Sequence, residues 1–287
     1  MNAPATFGTW EEAVRWLTAQ PDQQALVRAS YYDDPLTDAA ARYWQSEEWA
    51  AVRGLLPASR GRALDVGAGR GIASFALAKD GFQVTALEPD GSALVGAQAI
   101  RSLAKASGLS IEVTQEFSER LPFEDKQFDV VFARAVLHHT SDLAAACREF
   151  LRVLKPGGVL VAVREHVISR PEDLPAFFDI HPLHKLYGGE NALQLSEYRT
   201  AITAAGFNIR SILSPLESPI NYAPQTLLSL QGEVAKRLTR HLPYGLGSSL
   251  AKALLETPLI WAIARRVLTV ADRRPGRLYS FVCTRPS

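Results

Sequence analysis

The chain has 287 residues, 47% of them hydrophobic, with 31 Lys/Arg against 30 Asp/Glu and a net charge of +1. Such a chain supports one α/β domain with elaborations, and its balanced charge gives no general field for nucleic acid. Two cysteines make no disulfide framework, no apolar run is long enough to span a bilayer, and Met1-Asn2-Ala3-Pro4 lacks the features of a secretion signal, so a cytoplasmic location is expected.

Residues 1–58 read as an N-terminal helical cap. Trp10, Val14 and Leu17 form one helical stripe, and Tyr43, Trp44, Trp49, Val52 and Leu55 form another. Between them Tyr31-Tyr32-Asp33-Asp34 is a polar-aromatic loop suited to a pocket wall; the competing reading is that these helices only pad a sheet. A first strand near 62–67 then runs into Gly67, Gly69 and Gly71, with a helix from Ile72 to Ala78. Glycines there let the backbone turn sharply and pass close to a ligand, and the helix N-terminus offers free N–H groups.

A second strand, 83–88, ends in Glu88, an acid placed to accept both hydroxyls of a ribose. The residues leave two adenosine-containing cofactor classes open. A dinucleotide fingerprint wants a small third residue, where this chain has Ile72 or Ser74. Asp65 on the first strand would repel a pyrophosphate and suits a cationic ligand.

Further strands near 110–115, 128–133 and 158–165 alternate with helices, which gives a parallel, doubly wound sheet. Leu121-Pro122-Phe123 precedes the fourth strand, Phe128-Asp129-Val130-Val131 lies on it, and Val136-Leu137-His138-His139 follows. Arg152-Val153-Leu154-Lys155-Pro156-Gly157-Gly158 enters the fifth. With Asp65-Val66-Gly67-Ala68-Gly69-Arg70-Gly71, these motifs resemble, in order, those of the class I S-adenosylmethionine-dependent methyltransferases, small-molecule branch. The resemblance implies an α/β fold: a Rossmann-like, doubly wound, seven-stranded sheet with an antiparallel last strand. It also implies a core over 59–213 and S-adenosylmethionine as cofactor. Asp65, Gly67, Ala68, Gly69, Glu88 and Pro89 are the implied contacts, with Phe117 and Ser118 flanking adenine and Ala133 and Arg134 near the methionine part. Where the family often has an Asp before the Leu-Pro pair, this chain has Phe117, so backbone and apolar contact are expected to hold adenine. Arg70 either reaches the cofactor carboxylate or faces solvent. Two rival readings are an NAD-dependent oxidoreductase and a non-catalytic binding or scaffold protein on the same fold.

Methyl transfer to a hydroxyl requires the acceptor to lose a proton, and histidine is the natural base near neutral pH. His138 and His139 follow the fourth strand, and the spacing of His138 to Ser141-Asp142 is similar to that of the general-base histidine of plant small-molecule O-methyltransferases. Packing against the next helix is the plainer reading. A second cluster, His181 to Asn191, offers His181, His184, Tyr187 and Glu190 as substrate contacts, with His181 also a catalytic candidate and Phe177-Phe178 as an apolar wall. A polar surface loop is the plainer reading there. His181-x-x-His184 without a third ligand does not make a metal site, so no metal is expected. Ala133-Arg134-Ala135-Val136 stands where base- and amino-methylating relatives carry Asn-Pro-Pro-aromatic, so no nucleic-acid partner is expected. O-methylation of a small or lipid-like acceptor is preferred. Cys147 and Cys283 are expected in the core.

A helix over Leu195–Ala205 and a sixth strand, Phe207–Leu213, come next. The final strand of the core (278–287, Leu278 to Cys283) is expected antiparallel beside the sixth. Between them 214–277 read as a helical basic insertion, in which residues 231–277 hold nine Lys/Arg against three Asp/Glu, a local charge of +6. A helical subdomain with a solvated basic face, a dimer contact and a peripheral contact with anionic lipid all fit this pattern. Both a monomer and a homodimer are compatible with it.

Overall fold

The computed structural model describes residues 7–240 and 246–287. The apolar runs assemble into one sheet. Strands β1 (Arg62–Val66), β2 (Gln83–Leu87), β3 (Ile111–Thr114), β4 (Phe128–Arg134) and β5 (Leu154–Ile168) pair in parallel, and the order is β3-β2-β1-β4-β5-β8-β7. β7 (Asn208–Leu213) is reached last across the sheet, because β8 (Arg277–Thr284) inserts between it and β5, antiparallel to both. A two-residue strand that the sequence did not suggest, β6 (Leu193–Gln194), pairs with Val167 and Ile168 at the end of β5.

Successive strand residues point to opposite faces, so each strand feeds two cores. Leu64, Val131, Ala133, Leu160 and Ala162 pack under helices Leu143–Val153 and Leu195–Ala205, together with both cysteines. Ala63, Val130, Phe132, Val161 and Val163 pack on the other side, against helix Ile72–Lys79 and the N-terminal helices Leu36–Trp44 and Glu47–Arg53.

β5 breaks this alternation once. Its register with β8 shifts between Ala162 and Glu165, and Arg164 has φ +62°. The bulge puts Val163 and Arg164 on one side of the sheet, where Arg164 reaches Glu48, and returns Val167 to the first core. Bulges re-aim side chains in this way beside functional sites.

The N-terminal region contains helices Trp10–Thr18 and Gln24–Ala29 as well as the two just named. Asp80 and Arg70 of the core help to fasten it. Asp80 accepts hydrogen bonds from the indole N–H groups of Trp44 and Trp49 (2.8 and 2.9 Å) and from Arg53 (2.7 Å). Arg70 on the glycine loop donates to the Asp34 carboxylate (2.6 Å) and to the carbonyls of Tyr31 and Asp33 (3.1 and 3.3 Å). Arg70 is therefore a buried clamp on the 31–34 loop.

The insertion between β7 and β8 holds helices Pro219–Tyr222, Leu227–Leu238, Leu246–Leu255 and Pro258–Ala271. Leu230, Val234, Ala235, Leu255 and Trp261 give it a small core. The last helix also turns a stripe outward: Leu259, Ile263, Val267 and Val270 are 58–72% exposed. Among the described residues no helix is long and apolar enough to cross a membrane.

Candidate functional site

A cavity of about 490 Å³ opens at the carboxyl ends of β1, β4 and β5, where the strand order reverses. Such a switch point is where open α/β sheets bind ligands. Asp65, Gly67 and Gly69 form one wall, Trp10, Tyr31 and Tyr32 of the N-terminal region another, and Arg134 and Arg164 line it as well.

The glycine loop follows from backbone geometry. Gly67, Gly69 and Gly71 have φ of +60°, +53° and +84°, which favours glycine. A Cβ on Gly67 would lie 2.7 Å from Val136, whereas one on Gly69 would meet nothing within 4 Å. Asp65, at the end of β1, is 1% exposed and accepts a hydrogen bond from the Ser74 hydroxyl at 2.5 Å. Burial pushes its carboxyl up to about 7, against the opposing Ser74 bond. Glu88, at the tip of β2, accepts the N–H groups of Gly69 (2.7 Å) and Asp90 (3.0 Å), and burial raises it too.

Glu48 anchors the arginine wall. Arg134 binds it through two nitrogens (2.7 and 3.2 Å), and Arg164 lies 3.7 Å away. Burial alone would raise Glu48, but the two guanidiniums hold it below the ordinary value. One buried carboxylate thus faces two arginines, leaving an excess positive charge beside the cavity.

The remaining wall is imidazole. His138, His139, His166 and His181 all line the cavity with Glu190. The His138 ring centroid lies 4.2 Å from that of His139 and 4.8 Å from that of His166, and His166 lies 5.1 Å from His181. His138 Nδ1 is 2.6 Å from a Glu165 oxygen, and both side chains are fully buried. Glu165 also accepts the N–H groups of Val136 (3.1 Å) and His138 (3.2 Å). Burial drives both partners toward neutrality, while the backbone N–H groups of Val136 and His138 favour the Glu165 carboxylate; with Glu165 ionised, His138 is the neutral Nδ1–H imidazole. His138 Nε2 is buried without a hydrogen-bond partner among the described residues. Burial, then His184 and His139, lower His181 to about 4, and burial raises Glu190 to about 7.

Of the residues singled out from sequence, the fold brings Asp65, Gly67, Ala68, Gly69, Arg134, His138, His139, His181, Tyr187 and Glu190 around one cavity. Others lie elsewhere. Phe117 is 65% exposed and off the cavity wall, because Glu119 ties its loop to the Ser141 N–H (2.8 Å) and leaves Phe117 outside; Ser118 is spent on Glu119 (3.1 Å). Pro89 is exposed, and Ala133 is sealed in the core while the next-but-one residue, Ala135, lines the cavity. His184 stacks on Phe178 (4.1 Å, 9°) rather than facing the cavity. Phe177 does form an apolar backing, 5.0 and 5.1 Å from His166 and His181.

Sequence reasoning missed Glu48, Arg164, Glu165, His166 and Trp10. The available signal was Arg164-Glu165-His166, three polar residues at the carboxyl end of an apolar strand.

The family described as "Methyltransferase domain" matches residues 64–162. The O-methyltransferase resE of Aspergillus sclerotiorum is 28% identical over 222 residues, covering 74% of this chain and 81% of the relative. A ubiquinone biosynthesis O-methyltransferase of Methylocella silvestris is 33% identical over 153 residues, covering 51% of this chain and 57% of that protein. The crystal structure of an S-adenosylmethionine-dependent methyltransferase from Mesorhizobium loti superposes with a TM-score of 0.52 at 19% identity, covering 85% of this chain and all of that one.

Proposed function

Residues 64–162 are the methyltransferase domain of a class I S-adenosylmethionine-dependent methyltransferase, and from that premise we propose that this chain methylates an oxygen of a small or lipid-like acceptor, with His138 taking the acceptor's proton. The residues fit the cofactor. Asp65 is a buried acid with no ion-pair partner among the described residues, suited to a ligand bearing ammonium and sulfonium charges. Open space above Gly69 leaves room for close approach to the backbone, and Glu88 stands beside it for the ribose. The excess charge of Arg134 and Arg164 suits a carboxylate.

S-adenosylmethionine supplies a methyl group already activated by its sulfonium. The chain's own residues then position and deprotonate the acceptor. The observation that carries the reading is the buried His138–Glu165 pair at 2.6 Å. Glu165 holds the Nδ1 proton, so the Nε2 lone pair is free to accept. Once His138 is protonated, Glu165 stabilises the imidazolium across the same bond, as the acid of a nucleophile–histidine–acid triad does. Trp10, Tyr31, Tyr32 and Tyr187 wall the cavity and limit water, which strengthens these interactions. The names of the curated relatives support oxygen as the methylated atom.

The test is calorimetric titration with S-adenosylhomocysteine and with NAD, followed by a screen of hydroxyl acceptors. Binding of S-adenosylhomocysteine alone is expected. Replacing Glu88 by Ala should weaken it about ten- to a hundredfold, the loss of a hydrogen bond to a charged group. Binding of NAD alone, or unchanged affinity in Glu88→Ala, overturns the cofactor assignment.

We further propose that the insertion rests on anionic lipid. Support comes from the exposed stripe Leu259, Ile263, Val267 and Val270, which shares its helix with exposed Arg266, and from the +6 charge of 231–277.

A further inference from the structure

Three atoms able to ligate a metal, one each from His138, His139 and Glu190, meet in the cavity. His138 Nδ1 lies 2.6 Å from the Glu165 carboxylate, and His139 Nδ1 lies 3.0 Å from the Gly189 carbonyl. Carboxylate and carbonyl only accept, so each ring carries its proton on Nδ1 and a lone pair on Nε2. Those Nε2 atoms lie 3.8 and 3.6 Å from the same oxygen of Glu190. One ligand atom from each of His138, His139 and Glu190 falls within a 4.8 Å cluster. Lone-pair carriers so placed can share a positive centre, either a proton on Glu190 or a metal ion.

We propose that His138, His139 and Glu190 are the protein ligands of a divalent first-row transition-metal ion. Two imidazoles and one carboxylate, with further positions open, form a donor set that zinc and iron(II) take. Both rings already make the outer contact that metal-bound histidines make, a second N–H given to a carboxylate or a carbonyl. Around an ion at about 2.0–2.1 Å, ligand atoms stand roughly 3.3 Å apart in tetrahedral geometry, so the carboxylate–imidazole separations need to close by only a few tenths of an ångström.

No spacing of histidines along the chain announces this site. The His181-x-x-His184 pair is not the ligand pair, since His184 stacks on Phe178. The adjacent histidines after β4 take that place, and the 181–191 loop contributes Glu190 as the third group. The ion's open positions suit an oxygen donor of the acceptor, such as its hydroxyl. That role rests on the O-methylation reading, whereas the site itself does not. In a metal-loaded chain a bound ion would acidify the coordinated hydroxyl so that its proton is lost to solvent, and His138 would act as base only in the metal-free chain.

The experiment uses the full chain, stripped with chelator, titrated with cobalt(II) by visible absorption and with zinc(II) by calorimetry. Expected are one equivalent of cobalt(II) with visible d–d bands and its displacement by zinc(II). Glu190→Gln and His139→Ala should each weaken cobalt affinity at least about tenfold, and Glu165→Gln by about ten- to a hundredfold through the outer contact. His184→Ala should leave it unchanged. S-adenosylhomocysteine binding, measured on every variant, reports folding and the cofactor reading separately. No stoichiometric cobalt or zinc binding by a wild-type chain that binds S-adenosylhomocysteine overturns the metal site, as does cobalt binding that survives in both Glu190→Gln and His139→Ala.

Discussion

Asp65 is the residue on which cofactor binding and pH meet. Burial lifts its carboxyl from 3.8 to about 7, with Ser74 lowering, Glu88 raising and Arg134 lowering it around that burial effect. A cationic ligand favours the ionised form, so binding below pH 7 must expel a proton from Asp65. Affinity for S-adenosylmethionine should therefore fall as pH drops from 8 to 6, by up to about tenfold per unit below 7. Calorimetry in buffers of different ionisation enthalpy checks the proton release, and Asp65→Asn should abolish it. At the other wall, Glu165→Gln leaves the shape intact but replaces the acceptor that fixes the His138 tautomer. The expected result is a fall in kcat of about 10²- to 10⁴-fold with little change in KM for the acceptor, read by steady-state kinetics. His138 and Glu190 were visible in the sequence because histidines and acids clustered after apolar strands. His166 was not, because one residue of slip in β5 decides which way its neighbours face.

At the scale of elements, the alternating apolar runs made β1 to β5 legible, since strands buried on both faces leave continuous hydrophobic stretches. β6 has only two residues and no run to read. The β5 bulge depends on the positive φ of Arg164, which no composition pattern announces. That bulge brings Arg164 toward Glu48 on helix Glu47–Arg53, joining the N-terminal region to β4 and β5 through one acid and two arginines. Removing the acid strands both guanidiniums. Glu48→Gln should cost about 3–5 kcal/mol of stability, measured by denaturant unfolding; a cost under 1 kcal/mol would show that the pair is not what joins these elements.

For the whole molecule, the order of motifs along the chain was enough to anticipate the doubly wound sheet, its antiparallel strand and its two helical additions. How the N-terminal helices meet the glycine loop was not legible, because Arg70 reads in sequence as a contact of the cofactor carboxylate or a solvent-facing arginine and becomes a clamp only once Asp34 folds back on it. The insertion's outward stripe likewise emerged only when its inner residues were seen to be satisfied by Leu230, Val234 and Trp261. The chain should sediment with vesicles rich in anionic lipid at low salt, and release as ionic strength rises. Ile263→Asp with Arg266→Glu should abolish sedimentation; full retention by that double variant would exclude this face.

Where the insertion ends, the Gly276 carbonyl accepts the Nδ1 proton of His166 at 3.1 Å, and a Cβ on Gly276 would strike Phe177 at 2.4 Å. The polypeptide leaving the basic helices is thus a short tether whose far end is tied to an imidazole in the cavity. The outer helices and the ring stack of the cavity are therefore joined through a single turn of chain, with Gly276 touching His166 on one side and leading back to helix Pro258–Ala271 on the other.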